Sequence, residues 1–349
     1  MPRLTIASSA TALPMGAQVY EEQVASRAAA ALARHGEWHV DRMLVRSLRS
    51  DLPGTHRLPM GWLAGASTAA RRAVGRALYP SDAVVHRTNL ELPPSPRIDV
   101  VTIHDVVAWL FPDESPPVPA AAEEARRAAA VVCVSAFSAA EAVDLLGISD
   151  PHVVHNGVDP RYLDAEPMQA ETLAALGVTA PYVLTAGGVS RRKNLEGLAE
   201  AWPRIRAARP DLTLVMAGPE HPKRTALFGS LDGVRLVGRV RDDQITGLYA
   251  AAAAVVVPSL HEGFGLPALE AMAAGVPVVA ARRSALPEVV GDAGLLVEPT
   301  AEGLAEGVVF AVSGDPEVAR LVARGRARAA EFTWERSAAG HAAVWASVV

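Results

Sequence analysis

Cysteine is nearly absent from this 349-residue chain, and long apolar runs are missing altogether. The single cysteine, Cys133, excludes an internal disulfide and a zinc site built from several cysteines. Its apolar neighbours predict a small core residue. No stretch approaches the ~18 apolar residues of a membrane span, and the N-terminal segment lacks the apolar region of a signal peptide. We therefore expect a protein of the reducing cytoplasm without a transmembrane segment.

Lysine is also scarce, and no excess of positive charge is present. Of the 33 lysine and arginine residues, only Lys193 and Lys223 are lysines, so a lysine inside a motif is more informative than usual. The net charge of −5 argues against general nucleic-acid binding. P-loop, nucleophile-elbow and dinucleotide-binding glycine patterns are all missing, which excludes those enzyme classes.

What the chain does contain is a regular alternation of short apolar runs and alanine-rich helical stretches. This alternation predicts an α/β protein with parallel sheets covered by helices, and the length predicts two domains. Proline and polar residues cluster between Pro160 and Pro181, so we place a boundary there, with domains at 1–164 and 165–330. We expect two Rossmann-like, doubly wound sheets facing a central cleft, with ligands at the carboxyl ends of the strands. The predicted strands are Leu4–Ala7, Ala83–His86, Val100–Ile103, Ala130–Ser135, His152–His155, Tyr182–Ala186, Leu212–Ala217, Val234–Val237, Ala253–Val257, Val276–Ala280 and Gly294–Val297.

The segment from His261 to Val279 is the most informative in the chain. It reads as a strand end, a tight glycine loop and a helix, with Glu262 in the loop and Glu270 about one turn inside the helix. A helix N-terminus favours an anion such as a diphosphate, whereas a carboxylate beside it favours a hydroxyl. Diphosphate and hydroxyls together describe a nucleotide-sugar. The alternative is a core crossover whose carboxylates are merely solvated.

This segment resembles the Glu-x7-Glu motif of the retaining GT4 glycosyltransferases, which have the GT-B fold. The match covers HEGFGLP and LEAMAAGVPVVA. The resemblance implies that Glu262 lies beside the transferred sugar and that Glu270 binds the ribose hydroxyls. It also assigns the donor-binding loop to four residues: Gly263, Phe264, Gly265 and Leu266. The C-terminal helix, residues 331–349, would cross back to the N-terminal domain, as in other GT-B proteins.

A second loop, Gly187 to Asn194, carries three consecutive cations between a buried strand and a helix. It resembles the family segment that ends in Arg-Lys-Asn and holds the donor diphosphate, which assigns leaving-group stabilisation to Arg192 and Lys193. Gly188 stands where some members have a further arginine. A solvated basic turn is the alternative. Val240, after another strand, would contact the nucleotide base by the same resemblance, or belong to a simple turn.

The first half of the chain matches the family less closely. His104, at the end of an apolar strand, resembles the family histidine that contacts the transferred sugar; a polar residue at a strand end is the alternative. Asp105 would orient the imidazole or cap the next turn. Gly16, after Met15 at a helix start, resembles one position of a family Gly-x-Gly loop, although Ala17 departs from that pattern.

Together these motifs predict a retaining transferase that moves a hexose, with GDP-mannose the favoured donor, to an alcohol acceptor. No Asp-x-Asp pair is present, so we expect neither a metal nor any other cofactor. The acceptor would be a sugar, a lipid-linked molecule or another small molecule. Arg71, Arg72 and Arg76 allow peripheral membrane contact, although a solvated helix face is the favoured interpretation.

Two rival functions use the same fold. One is a non-catalytic protein that binds a nucleotide-sugar or scaffolds a partner. The other is a phosphorylase-like enzyme, for which Lys223 is a poor pyridoxal candidate because it lies in a proline-flanked loop.

Overall fold

Residues 1–11 and 16–349 are described by the computed structural model, in two compact units. Unit 1 is formed by Met1–Gly157 and Trp334–Val349, and unit 2 by Val158–Thr333. The divisions lie a few residues from the predicted boundaries at 164 and 330. Val158 and Thr333 form a parallel bridge, and the Val158 N–H donates to the Phe332 carbonyl at 2.8 Å. Pairing of its two ends explains why unit 2 begins and finishes at these residues.

Seven parallel strands form the sheet of unit 1, in the order β3-β2-β1-β4-β5-β6-β7. Cys133 is buried in this sheet, as predicted. The strands are β1 (Arg3–Ser9), β2 (His39–Ser47), β3 (His56–Leu58), β4 (Ala83–Arg87), β5 (Ile98–Ile103), β6 (Ala130–Cys133) and β7 (His152–Val153). The helices are α1 (Gly16–Leu32), α2 (Met60–Leu63), α3 (Thr68–Leu78), α4 (Val107–Leu110), α5 (Ala121–Arg126), α6 (Ala136–Leu146) and, at the C-terminus, α15 (Trp334–Ser347), with a 3-10 turn at Ala33–His35.

Two of these strands, β2 and β3, were missed by the sequence analysis. They lie at one edge of the sheet, and only part of each strand is buried. In β2 the buried Met43 and Val45 alternate with half-buried or exposed positions such as Arg42 and Arg46. The predictions relied on continuous apolar runs, which identify central strands of a parallel sheet but not a half-exposed edge strand.

Six parallel strands form the sheet of unit 2, in the order β10-β9-β8-β11-β12-β13. The strands are β8 (Tyr182–Ala186), β9 (Thr213–Ala217), β10 (Val234–Gly238), β11 (Ala254–Val257), β12 (Val278–Ala281) and β13 (Leu295–Val297). The helices are α7 (Ala170–Ala175), α8 (Leu195–Ala208), α9 (Pro222–Phe228), α10 (Ile245–Ala250), α11 (Leu266–Ala273), α12 (Leu286–Val290), α13 (Ala301–Ala311) and α14 (Pro316–Ala329), with 3-10 turns at Pro160–Tyr162 and Arg191–Lys193.

In both units the strand order reverses at one point, between β1 and β4 and between β8 and β11. This reversal is the topological switch point of a doubly wound sheet, where the loops on the carboxyl side diverge and leave room for a ligand. The helix that follows β8, α8, buries Leu198, Trp202 and Ile205 on one face against the sheet. Its start, and the basic loop before it, are thereby fixed at the switch point.

The C-terminal helix α15 packs on α1 through a buried chain of polar side chains in unit 1. The Trp345 Nε1–H donates to His86 Nδ1 at 3.2 Å, and His86 Nε2 lies 2.8 Å from Thr102 Oγ1. Tyr20 Oη lies 2.7 Å from both Thr102 Oγ1 and His341 Nε2. These bonds anchor α15 to the sheet. None of the helices described here is long and apolar enough to cross a bilayer.

Candidate active site

Two loops meet at the switch point of unit 2, one after β8 and one after β11. The β8 loop ends in the 3-10 turn Arg191–Lys193, and Asn194 then adopts the left-handed conformation, with φ of 51°. The Asn194 amide donates to the Pro258 carbonyl at 3.1 Å, which ties the two loops together. The Leu260 N–H donates to the Arg192 carbonyl at 2.7 Å and adds a second tie. The backbones of the two loops therefore hold each other in place.

Glu262 is the centre of this site. Its side chain is 8 % exposed, and Oε1 accepts from Lys193 Nζ at 2.6 Å and from Ser259 Oγ at 2.7 Å. Arg192 Nη1 lies 3.4 Å from Oε2, and the Glu262 N–H donates to Ser284 Oγ at 2.9 Å. Burial raises the pKa of Glu262, but the charges of Lys193 and Arg192 outweigh burial and hold that pKa below its ordinary value. The carboxylate is therefore ionised and compensated.

The helix that follows begins at a glycine that no other residue replaces easily. Gly265 precedes α11 with φ of 104°, and a Cβ there would meet Leu286 Cδ2 at 2.8 Å. No side chain caps the first turn of α11. Its first N–H groups and the helix dipole therefore favour an anion at this end of α11, which begins four residues after Glu262.

Glu270, one turn inside α11, lies in a different environment from Glu262. It accepts hydrogen bonds from the phenols of Tyr249 and Tyr162, whose rings meet edge to face at 5.3 Å. Burial raises the pKa of Glu270 to about 7; the nearby charge of Asp159 acts in the same direction, and the two phenols oppose it. The sequence analysis missed both tyrosines, because they come from the linker and from α10 and no motif marks them.

The remaining residues predicted to bind the donor lie around these loops. The Phe264 side chain is 4 % exposed and packs edge to face on Phe332, with 5.8 Å between ring centroids, so a contact with a ligand would come from its backbone. Gly263 is buried in the same loop, and Leu266 is half-buried at the start of α11. Val240 is buried after β10, so a contact with a ligand would again come from its backbone. These assignments stay predictions.

His104 belongs to unit 1 and follows β5. Its Nε2 lies 3.1 Å from the Thr88 carbonyl, which only accepts, so Nε2 carries the proton and Nδ1 is left as an acceptor. Burial lowers the pKa of His104, and Asp105 opposes that shift only in part, so the imidazole is neutral. Asp105 Oδ1 accepts from the Val107 N–H at 3.3 Å and caps the next turn. A neutral imidazole with an open acceptor suits a sugar hydroxyl.

Gly16 is the first residue of α1 and is exposed. Met15, which precedes it in the chain, lies outside the described residues. Lys223, on α9, pairs with Glu196 at 2.9 Å, so its ammonium has a structural partner. The described part of the chain contains no group of three or more His, Cys, Asp or Glu side chains arranged to hold a metal ion. Metal independence stays a prediction.

Comparison with known proteins identifies the class to which this fold and site belong. Residues 180–313 match the family model described as glycosyl transferases group 1. O-antigen chain mannosyltransferase B of Escherichia coli is 32 % identical over 276 residues, which cover 73 % of this chain and 71 % of that protein. The chain therefore belongs to the group 1 glycosyltransferases, and the predicted GT4 resemblance is confirmed.

Further relatives and solved structures agree with this assignment. The GDP-mannose-dependent α-(1-6)-phosphatidylinositol dimannoside mannosyltransferase of Mycobacterium tuberculosis is 33 % identical over 214 residues, 60 % of this chain and 55 % of that protein. Sucrose-phosphate synthase from Thermosynechococcus elongatus superposes with a TM-score of 0.74 at 25 % identity, covering 99 % of this chain and 98 % of that one. The fold is GT-B, as predicted, and the protein is a glycosyltransferase.

Proposed function

We propose that this glycosyltransferase moves mannose from GDP-mannose to an alcohol acceptor, with retention of anomeric configuration and without a metal ion. The observation that carries the proposal is the cluster of Lys193, Arg192 and Glu262 at the switch point of unit 2. Two cations and one carboxylate leave one positive charge beside the N-terminus of α11. This arrangement suits a diphosphate leaving group.

The cluster supplies charge stabilisation where the glycosidic bond breaks. A lysine ammonium has three N–H donors. Lys193 uses one of them to bind Glu262, so it retains N–H groups for a phosphate oxygen. Negative charge on the diphosphate grows during bond cleavage, and fixed positive groups then bind it more strongly. The acceptor hydroxyl attacks on the face from which the diphosphate departs, and the departing phosphate takes its proton.

Glu270 would recognise the nucleotide of the donor, and His104 would recognise the transferred sugar. The Glu270 carboxylate, surrounded by Tyr162 and Tyr249, would accept hydrogen bonds from the ribose hydroxyls. His104 Nδ1 would accept one from the transferred sugar. Both the Escherichia coli and the Mycobacterium tuberculosis relatives are mannosyltransferases, which supports mannose as the transferred sugar. The second is GDP-mannose-dependent, which supports GDP as the nucleotide. The acceptor would be a sugar, a lipid-linked molecule or another small molecule, and the enzyme would work in the cytoplasm with at most peripheral membrane contact.

A donor and product assay tests this proposal. The purified chain is incubated with GDP-mannose, UDP-glucose, ADP-glucose or dTDP-glucose and with methyl α-mannoside as acceptor. We expect nucleotide release and transfer with GDP-mannose and an α-linked product by NMR. A β-linked product would contradict retention. Turnover with another donor in place of GDP-mannose would show that the enzyme uses a different sugar or nucleotide. Tight donor binding with neither transfer nor slow hydrolysis would instead support the non-catalytic alternative.

A further inference from the structure

Arg224, on α9 of unit 2, is a buried arginine without a counter-ion. It is 3 % exposed, and its guanidinium donates only to backbone carbonyls. Those acceptors are Pro219 O at 3.0 Å, Gly187 O at 2.6 Å and Gly188 O at 3.4 Å. Nε is buried and has no hydrogen-bond partner. Within residues 1–11 and 16–349, no carboxylate forms an ion pair with it.

Other buried arginines of this chain are paired. Arg71 lies 2.6 Å from Glu124, and Arg87 lies 2.7 Å from Asp99; both guanidinium groups are fully buried. An isolated buried charge is strongly unfavourable, and folded proteins usually compensate it. Burial lowers the pKa of Arg224, and no neighbouring charge opposes the shift. The contrast indicates that its counter-charge is supplied from outside the chain.

The surroundings of Arg224 indicate where that counter-charge binds. Arg224 lines a cavity together with Lys193, Gly187, Gly188 and Ser259, at the carboxyl ends of β8, β9 and β11. A Cβ on Gly187 would lie 3.9 Å from Lys193 Nζ, while the Gly187 carbonyl accepts from Arg224. The two cations therefore flank the same glycine loop.

Glycine is also required on the neighbouring strand end for Arg224 to reach this position. Gly218 has φ of 139°, and a Cβ there would lie 3.0 Å from Arg224 Nη2 and 2.2 Å from the Gly187 carbonyl. The backbone of two strand ends is thus shaped around the guanidinium. An exposed, merely solvated arginine would need no such accommodation.

We propose that Arg224 is an anion-binding residue whose ligand is a phosphate group of the donor diphosphate. The proposal rests on the proposed function for the identity of that ligand. Arg224 positions the Gly187–Gly188 loop through its carbonyl bonds and adds its unpaired charge to that of Lys193 at the cavity that both residues line. Guanidinium groups suit this role because they are always charged and match phosphate geometry.

Calorimetry on the full-length protein tests the inference with inorganic pyrophosphate, GDP and guanosine as probes. Arg224→Gln keeps an amide donor for the loop carbonyls and removes the charge, Arg224→Lys keeps the charge, and Arg204→Met removes an exposed arginine of α8 as the matched control. We expect Arg224→Gln to weaken pyrophosphate and GDP binding about 10- to 100-fold, the loss typical of a hydrogen bond to a charged group. Guanosine binding should not change, and Arg224→Lys should recover part of the loss.

The outcomes separate this inference from the proposed function. Unchanged pyrophosphate affinity in Arg224→Gln would overturn the inference and leave the transferase proposal intact. Equal weakening of guanosine and pyrophosphate, with a lower Tm, would show that Arg224 only supports the loop, and would also overturn it. If the wild type binds pyrophosphate through Arg224 but binds no nucleoside diphosphate, the proposed function fails while the anion site stands. Removal of an unpaired buried charge should leave the Tm of the ligand-free Arg224→Gln protein equal to or above that of the wild type.

Discussion

Lys193 Nζ lies 2.6 Å from Glu262 Oε1, although the two residues follow different strands, β8 and β11. These strands are neighbours only because the sheet order reverses between them. The ion pair therefore exists because of the topology of unit 2. It keeps Glu262 ionised in a buried position and holds the ammonium at the loop that precedes α11. In this way the fold arranges the charges before any donor binds, which is the condition for electrostatic stabilisation of a leaving group.

Removal of the ammonium should slow the reaction more than it weakens donor binding. We expect Lys193→Met to lower kcat by about 10²–10³, the usual loss for one such donor, because the diphosphate gains charge in the transition state. Lys193→Arg should recover only part, since the guanidinium is larger and differently shaped. Lys223→Met, which removes the other lysine, is the control. If the donor Kd rises while kcat is unchanged, Lys193 only binds the donor.

The sequence predicted the loops that carry the site residues, but not most of the side chains that contact those residues. Glu262, Lys193 and Arg192 lie in short motifs with recognisable spacing, so their chemistry was visible before the fold was known. Their contact was not, because it depends on the pairing of β8 with β11.

Other residues around the site left no local signal at all. Ser259 and Ser284 support Glu262, Tyr162 and Tyr249 surround Glu270, and Arg224 reaches the β8 loop from α9. Each comes from a separate segment and is an ordinary residue in its own neighbourhood. Only the three-dimensional fold brings such residues to the motifs. For the same reason the half-exposed edge strands β2 and β3 escaped a search for apolar runs.

The raised pKa of Glu270 should make nucleotide binding and stability depend on pH in opposite directions. The folded protein holds the Glu270 proton up to about pH 7, whereas the ordinary value is 4.5, so the folded state binds more protons between these values. The Glu270 contribution to the free energy of unfolding should therefore fall by a few kcal/mol as pH rises from 4.5 to 7. The ionised carboxylate is the better acceptor for ribose hydroxyls, so GDP affinity should rise over the same range.

Glu270→Gln tests both trends. Urea unfolding between pH 5 and 8 should show the wild type losing stability relative to Glu270→Gln as pH rises. Calorimetry with GDP should show a GDP affinity that changes less with pH in the variant, and weaker GDP binding at pH 8. Tyr249→Phe, which removes one phenol donor, should raise the pH at which binding improves. A wild-type GDP affinity that is flat across this range would remove Glu270 ionisation from the binding site.

Chelation should leave the reaction unaffected. The chain has no Asp-x-Asp pair, and the positive groups assigned to the leaving diphosphate are side chains and a helix N-terminus. We expect turnover in EDTA to equal that in buffer, by direct measurement of GDP release. Loss of activity that Mg²⁺ or Mn²⁺ restores would contradict a metal-independent mechanism.

A side chain at Gly265 should destabilise the protein and weaken donor binding. Gly265→Ala places a Cβ at a φ of 104° and within 2.8 Å of Leu286 Cδ2, so we expect about 1–3 kcal/mol of destabilisation from backbone strain, together with weaker donor binding because the start of α11 shifts. Gly61→Ala, where a Cβ meets nothing within 4 Å, is the matched control in chemical denaturation. Equal stability of the two variants would show that the loop relaxes around a side chain.

Acid should weaken the packing of the C-terminal helix α15 on the rest of unit 1. The Ser337 carbonyl accepts from His341 Nδ1 at 2.8 Å, so the neutral His341 uses Nε2 to accept from the Tyr20 hydroxyl. The indole of Trp345 donates to His86 Nδ1, which likewise requires a neutral ring. Protonation of either histidine would set two donors against each other in a buried site.

The lowered pKa values give the sign and range of this effect. Burial lowers the pKa of His341 to about 4 from an ordinary value of 6.5, so the unfolded chain binds the proton first. The His341 contribution to stability should therefore be complete above pH 6.5 and should decline by a few kcal/mol as pH falls toward 4, opposite in sign to the contribution of Glu270. His341→Gln keeps an amide acceptor for Tyr20 and cannot be protonated, so it should reduce this decline, whereas substitution of the exposed His152 by Gln should not. Urea unfolding followed by the fluorescence of the six tryptophans, two of which are Trp334 and Trp345 of α15, measures the decline. An identical acid dependence in wild type and His341→Gln would show that His341 does not control it.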